Sequence, residues 1–165
     1  MRKTLASTLI LTALTGAPLL AGAEAVRLEK NMSLELANQI AAATVASCTA
    51  SGYNVTATVV DRAGSVRAVQ RADNAGPHTL AASQQKAFTS ASAKNTTLAM
   101  MEGAQKNPAS ANLVYIPGFL LLGGGVPVKV GNEVIGAVGV AGAPGGNLDE
   151  QCGMAALDKV KDALK

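Results

Sequence analysis

Val126-Pro127-Val128-Lys129-Val130-Gly131-Asn132-Glu133-Val134-Ile135-Gly136-Ala137-Val138-Gly139-Val140-Ala141-Gly142 is the stretch on which the fold turns. Val126 to Val130 and Val134 to Gly142 are rich in β-branched residues, and Gly131-Asn132 between them has the composition of a tight turn, so the stretch reads as a β-hairpin. Gly136 and Gly139 interrupt the second strand. A strand interior carries glycine where another backbone comes close, so one face of this strand is expected to be closely approached.

Upstream, Asn54 to Asp61 is mostly β-branched, Arg62-Ala63-Gly64-Ser65 reads as a turn, and Val66 to Arg71 reads as its partner strand, which makes a second hairpin. Ser33 is a plausible helix cap with Glu35 in the first turn, and Leu36, Ile40, Ala43/Thr44 and Val45 recur at helical spacing up to Gly52. Gly76-Pro77 closes a connection, after which Thr79 to Ala93 and Thr97 to Lys106 read as two helices. An irregular apolar segment from Asn112 to Leu122 leads into Gly123-Gly124-Gly125, which reads as a turn. Ala143-Pro144-Gly145-Gly146-Asn147 reads as a loop. In the last helix Asp149 and Glu150 complement the N-terminal dipole, and Met154, Leu157, Val160/Lys161 and Leu164 form the expected buried stripe. The order is helix, two strands, two helices, loop, two strands, helix. Two consecutive hairpins make a central antiparallel sheet, and the helices packed on it make an α+β single domain.

Cys48 falls in the last turn of the first helix and Cys152 near the start of the last. If those end helices lie side by side and antiparallel, the two cysteines can meet as a disulfide; the alternative is a pair of small buried thiols.

The chain of 165 residues carries a formal charge of +3. Met1-Arg2-Lys3 followed by the uncharged run Thr4 to Leu20, and then Ala21-Gly22-Ala23, has the form of a secretory signal, so residues 1–23 are expected to be removed; Ala25 offers a second cleavage register. An uncleaved anchor is the alternative, but the run is short of a comfortable span. Without Arg2 and Lys3, twelve bases face eleven acids, a net of +1. The bases are scattered, and the only aromatics are Tyr53, Phe88, Tyr115 and Phe119. Neither a basic patch nor a base-stacking platform exists, so no nucleic-acid partner is expected. A periplasmic or secreted location is expected, with no stable membrane insertion after cleavage, in a compartment where a disulfide persists.

The common catalytic signatures are absent: no G-x-S-x-G, H-E-x-x-H or Walker A, a single histidine, and no C-x-x-C pair. The one histidine, His78, opens a helix directly after Gly76-Pro77, where side chains are often presented to ligands. Read alone, it is a structural histidine or an iron ligand; Tyr53, Tyr115, Met100 and Met101 are the other residue types able to ligate haem.

Four blocks resemble a known family: Val59-Val60-Asp61-Arg62-Ala63-Gly64, Lys86-Ala87-Phe88-Thr89, Gly123-Gly124-Gly125-Val126-Pro127-Val128, and Val134 to Gly146 followed by Asp149-Glu150. Over residues 32–164 the chain resembles the GlcG/HbpS-like haem-binding family, to which the last domain of PduO-type cobalamin adenosyltransferase is similar. The resemblance implies a layered α/β/α, profilin-like domain over residues 32–165 behind a short extension, 24–31. It implies homo-oligomeric assembly and a haem cofactor. It points to His78 as the ligand of haem iron and Arg71 as a partner of a propionate, with Tyr115 and Phe119 lining a porphyrin face or supplying a phenolate. On the residues alone, Arg71 is equally a solvated strand-end charge, and Tyr115 and Phe119 are equally core.

The leading expectation is an exported haem-binding protein without catalysis of its own, serving haem uptake, storage or sensing. The alternative is an accessory protein or enzyme of a catabolic pathway whose pocket takes another small molecule, with Lys86 or Arg62 holding a carboxylate. A third is an assembly module with a vestigial pocket.

Overall fold

The computed structural model describes residues 25–165, so the expected signal segment lies outside the described residues. Helix α1, Leu34–Ala50, starts where the Ser33 hydroxyl accepts the Leu36 N–H at 3.1 Å. Strands β1, Thr56–Asp61, and β2, Val66–Arg71, form the first hairpin, whose turn is held by the Asp61 carboxylate accepting the Ala63 and Ser65 N–H groups, each at 3.0 Å. Helices α2, Thr79–Ala93, and α3, Thr97–Lys106, follow, then the short α4, Pro108–Ala111, and a 3₁₀ turn, Asn112–Tyr115. Strands β3, Gly125–Val130, and β4, Glu133–Ala141, form the second hairpin, and helix α5, Gly146–Lys159, closes the domain.

The sheet is antiparallel throughout, in the order β2-β1-β4-β3, so each hairpin contributes one central and one edge strand. Side-chain alternation splits its two faces into different chemistry. On one face α1 lies chiefly over β1 and β2 and α5 over β4 and β3, around an apolar core that includes Ile40, Val55, Val59, Val126, Val138 and Val140. The Cys48–Cys152 disulfide, with Cα atoms 5.3 Å apart, joins the end of α1 to the first half of α5 on this side.

The opposite face is covered by α2, and its contacts are small and polar. Thr56 bonds Thr79 at 2.6 Å and Thr58 bonds Ser83 at 2.7 Å, all four hydroxyls buried, beside a small cluster of Val60, Ala87, Ala91 and Ala137. Gly139 is the point of closest approach: a Cβ there would run into the Ser83 carbonyl oxygen and lie 2.5 Å from the Ala87 nitrogen. The expectation that one face of β4 is closely approached thus has its cause in α2.

Two expectations for the last helix are corrected. The helix begins at Gly146, because the Leu148 and Asp149 N–H groups already turn back onto the Gly145 carbonyl. Its fully buried residues are Asp149, Glu150, Cys152, Gly153 and Ala156; of the expected stripe Leu157, Val160 and Leu164 are partly buried against the core, while Met154 is 54% exposed. Gly153 decides the rotation: a Cβ there would sit 3.1 Å from Val126 Cγ2, so the helix lies on its small-residue side and Met154 turns outward.

Candidate functional site

Along α2, His78, Ala82 and Lys86 succeed one another at four-residue steps and so share one flank of the helix. That flank, with Leu122, the Ala141–Gly146 loop and Asp149 of α5, walls a cavity of about 270 Å³. His78 occupies the N-cap position of α2 without making a side-chain capping bond; it is exposed, and its ring lies over Gly76, where a Cβ would fall 2.7 Å from Cε1.

Deeper in the cavity lies an ion pair. Lys86 is the largest fully buried side chain among the described residues; its ammonium donates to Asp149 Oδ2 at 2.8 Å and to the Val140 carbonyl at 2.9 Å. The other Asp149 oxygen accepts the Ala143 N–H at 2.9 Å and so pins the glycine-rich loop. Burial pushes the Asp149 carboxyl above its ordinary range, against the pull of the Lys86 ammonium and the Ala143 N–H. Glycines make room for this pair: a Cβ at Gly124 would come 2.8 Å from Asp149 Cβ and 3.0 Å from Lys86 Nζ. Glu150, read in sequence as complementing its own helix, instead accepts the Leu98 N–H at 3.2 Å at the start of α3.

The remaining site residues fall elsewhere. Arg71 donates to the Ala75 carbonyl, so its guanidinium holds the connection that presents His78. Phe119 meets Phe88 edge to face, with ring centroids 6.2 Å apart. Phe88 stands ten residues beyond His78 on α2, about 15 Å further along the helix axis at 1.5 Å per residue. Phe88 walls a second cavity of about 380 Å³ with Ala81, Gln84, Gln85, Gly64, Pro117 and Gly118. Tyr115 is 80% exposed on the 3₁₀ turn and lines neither cavity. His78 and Arg71 therefore belong to one region and Phe119 to another. Phe88 carried a signal in sequence, the K-A-F-T block, but nothing there marked it as a cavity wall.

Arg62 is committed to structure. It donates to the Lys30 carbonyl and to Glu133 Oε1, both at 2.7 Å, and pairs with Glu29 at 3.3 Å, tying the segment before α1 to the second hairpin. The hydrogen bond and charge of Arg62 hold the Glu133 carboxyl below its ordinary value.

Among the described residues no cluster of three or more His, Cys, Asp or Glu side chains is placed to hold a bare metal ion. A haem brings its own four nitrogen ligands and asks the protein for one or two axial donors. One exposed imidazole beside small apolar walls fits that requirement. A cavity of about 270 Å³ is below the usual range for enclosing a large ligand, so these residues would hold a haem only in part, with the His78 imidazole as the donor they could offer.

A model of the family described as haem degrading protein HbpS-like matches residues 32–158. Protein GlcG of Escherichia coli K12 is 34% identical over 110 residues, 67% of this chain and 81% of that protein. A crystal structure of a double mutant of Streptomyces reticuli HbpS is 34% identical and superposes with a TM-score of 0.77, covering 88% of this chain and 97% of the other. The structure of a PduOC:heme complex superposes with a TM-score of 0.70 at 19% identity, over 78% of this chain and 94% of the other, which is a likeness of fold.

Proposed function

This chain belongs to the HbpS-like family, and from that premise we propose that it is an exported haem-binding protein that takes up, stores or senses haem outside the cytoplasm. The observation that carries the reading is His78, an exposed imidazole on the rim of an alanine- and glycine-walled cavity, held there by the connection that Arg71 braces. Bound haem would supply the iron centre and its spectrum; the protein's part is to ligate through His78 and to offer apolar surface at Ala82, Leu122 and Pro144. Export is supported by the apolar N-terminal segment and by the disulfide, a bond that persists in oxidising compartments. Assembly with further copies is part of the proposal, and the exposed apolar residues Val114, Tyr115 and Ile116 are where such copies are expected to bury surface.

Titration of the purified protein with haemin tests the reading: a saturable Soret shift is expected, weakened in His78→Ala, and a spectrum that is only the sum of protein and free haemin would sink it. Native mass spectrometry reads the subunit count. The mass of the protein recovered outside the cytoplasm reads whether the chain then starts at Glu24 or Val26.

A further inference from the structure

Lys86 is the feature that haem ligation at His78 leaves unexplained. Burying an ammonium beside a carboxylate is a poor way to gain stability, because desolvation of the two charges offsets most of their attraction, and an apolar pair of similar volume serves a core as well or better. The ammonium has three N–H donors; two are taken by Asp149 and the Val140 carbonyl, and the third has no protein acceptor among the described residues. Nζ is thus bonded but one donor short of its capacity, and it belongs to a side chain that lines a cavity.

The one carboxylate in the wall, Asp149, is already paired with Lys86 and the Ala143 N–H, and the rest of the surroundings suit an anion. The cavity wall includes the start of α5, a 14-residue helix whose N-cap, Gly145, has no side chain to satisfy its first N–H groups, and Gly146 follows it in the wall. The Ala82, Ala141, Leu122 and Pro144 side chains offer only apolar surface, and His78 sits at the mouth. At about 30 Å³ per water-sized group, 270 Å³ holds a molecule of up to about nine non-hydrogen atoms. Arg62, the other cation considered for this work, is excluded by its bonds to Lys30, Glu133 and Glu29.

We propose that the cavity between α2 and the 141–146 loop is a carboxylate receptor, with Lys86 and the N–H groups at the start of α5 holding the carboxylate and the apolar walls accepting a short chain or small ring. The carboxylate has two sources, a free small monocarboxylic acid or the propionate of a haem ligated at His78. The second rests on the proposed haem function and the first does not.

Calorimetry on haem-free protein with propionate and benzoate, each against its amide, reads the first source. Soret titration with haemin against haemin dimethyl ester reads the second. Binding of an acid but not its amide, or of haemin at least about tenfold more tightly than its ester, is expected for the respective source. Lys86→Met alone leaves the Asp149 carboxylate buried without a counter-ion and endangers folding, so the variant of choice is K86M/D149N, which keeps an acceptor for the Ala143 N–H. A second variant, Ala82→Phe, fills the cavity and leaves the ion pair alone. Either is expected to abolish the preference for the carboxylate while circular dichroism stays unchanged. The proposal is overturned if neither acid nor haemin is preferred over its neutral counterpart, or if the preference survives in K86M/D149N. Haemin binding with no carboxylate preference sinks this receptor but leaves the haem function standing; acid binding without haem binding does the reverse.

Discussion

Opening the Cys48–Cys152 bond should remove about a third or more of the domain's stability. The bond closes a chain segment with a separation of 104 residues that contains all four strands. In the unfolded state a cross-link of that length excludes a large share of conformations, and the loop-closure relation puts the effect at about 4.7 kcal/mol at 25 °C. A domain of this size holds roughly 5–15 kcal/mol in all, so the reduced protein retains about two thirds at best. Both cysteines are buried, Cys48 completely and Cys152 to 5% exposure, so complete reduction calls for unfolded protein. The assay is therefore urea denaturation of protein unfolded, reduced and refolded with reductant present, alongside oxidised protein and C48A/C152A. With a slope near 2 kcal/mol per molar, the midpoint should fall by about 2 M, and the double variant should track the reduced protein. A loss below about 1 kcal/mol would refute the chain-entropy reasoning. Recovery of the protein only from the cytoplasm, with both thiols free, would go further and count against export.

Two glycines should respond oppositely to the same substitution. Gly139→Ala drives a methyl group into the Ala87 backbone of α2 and should cost about 1–3 kcal/mol, whereas Gly103→Ala, mid-helix in α3 with nothing within 4 Å, should gain about 0.5–1 kcal/mol; equal effects in urea melts would refute the close approach of α2 to β4. Glu133 should titrate below a free glutamate, and Arg62→Gln should move it upward, read by carboxyl NMR. Because its folded value is lowered, the stability it contributes is fully present above the unfolded value and is lost as pH falls through the folded one, so Arg62→Gln should flatten the acid limb of the stability profile. An unchanged acid limb would mean the pairing has no energetic weight.

The elements that could be read in sequence are those whose ends are written locally. Ser33 and Thr96 accept N–H groups three residues on and fix the starts of α1 and α3, and Gly131 at φ +60 turns the second hairpin in two residues. The start of helix α5 lies three residues ahead of its first acid because Gly145 caps it without a side chain, and of the stripe Leu157, Val160 and Leu164 do pack against the core while Met154 turns out, because Gly153, the residue that sets the rotation there, counts as nothing in a hydrophobic pattern. The candidate site was legible in part. His78 follows a glycine-proline step and could be placed at a helix start, but Asp149 looked like an ordinary first-turn acid. Its partner lies 63 residues away, and only the crossing of α2, α5 and the end of β4 brings them together. The same long-range geometry separates Phe119 from His78, which no spacing in the chain announced.

The two faces of the sheet explain why those failures cluster where they do. On the α1/α5 face, burial, period and sequence agree: valines and isoleucine meet across an apolar core with a covalent bond through it, and stability resides there. On the α2 face the same sheet presents Thr56, Thr58 and Gly139, and the helix answers with Thr79, Ser83, Lys86 and Ser90, a buried polar layer that contributes little by area and tolerates few neighbours. Such a layer sits poorly with a helix whose only task is to cover a sheet, and it suits one that must hold a lysine beside a cavity. Lesions in the apolar core under α1 should therefore lower stability and leave ligand affinity intact, lesions at His78 and Ala82 should change affinity with little loss of fold, and lesions of the buried Lys86–Asp149 pair should move both. A survey of substitutions in which both layers moved both quantities equally would show that this division of labour is wrong.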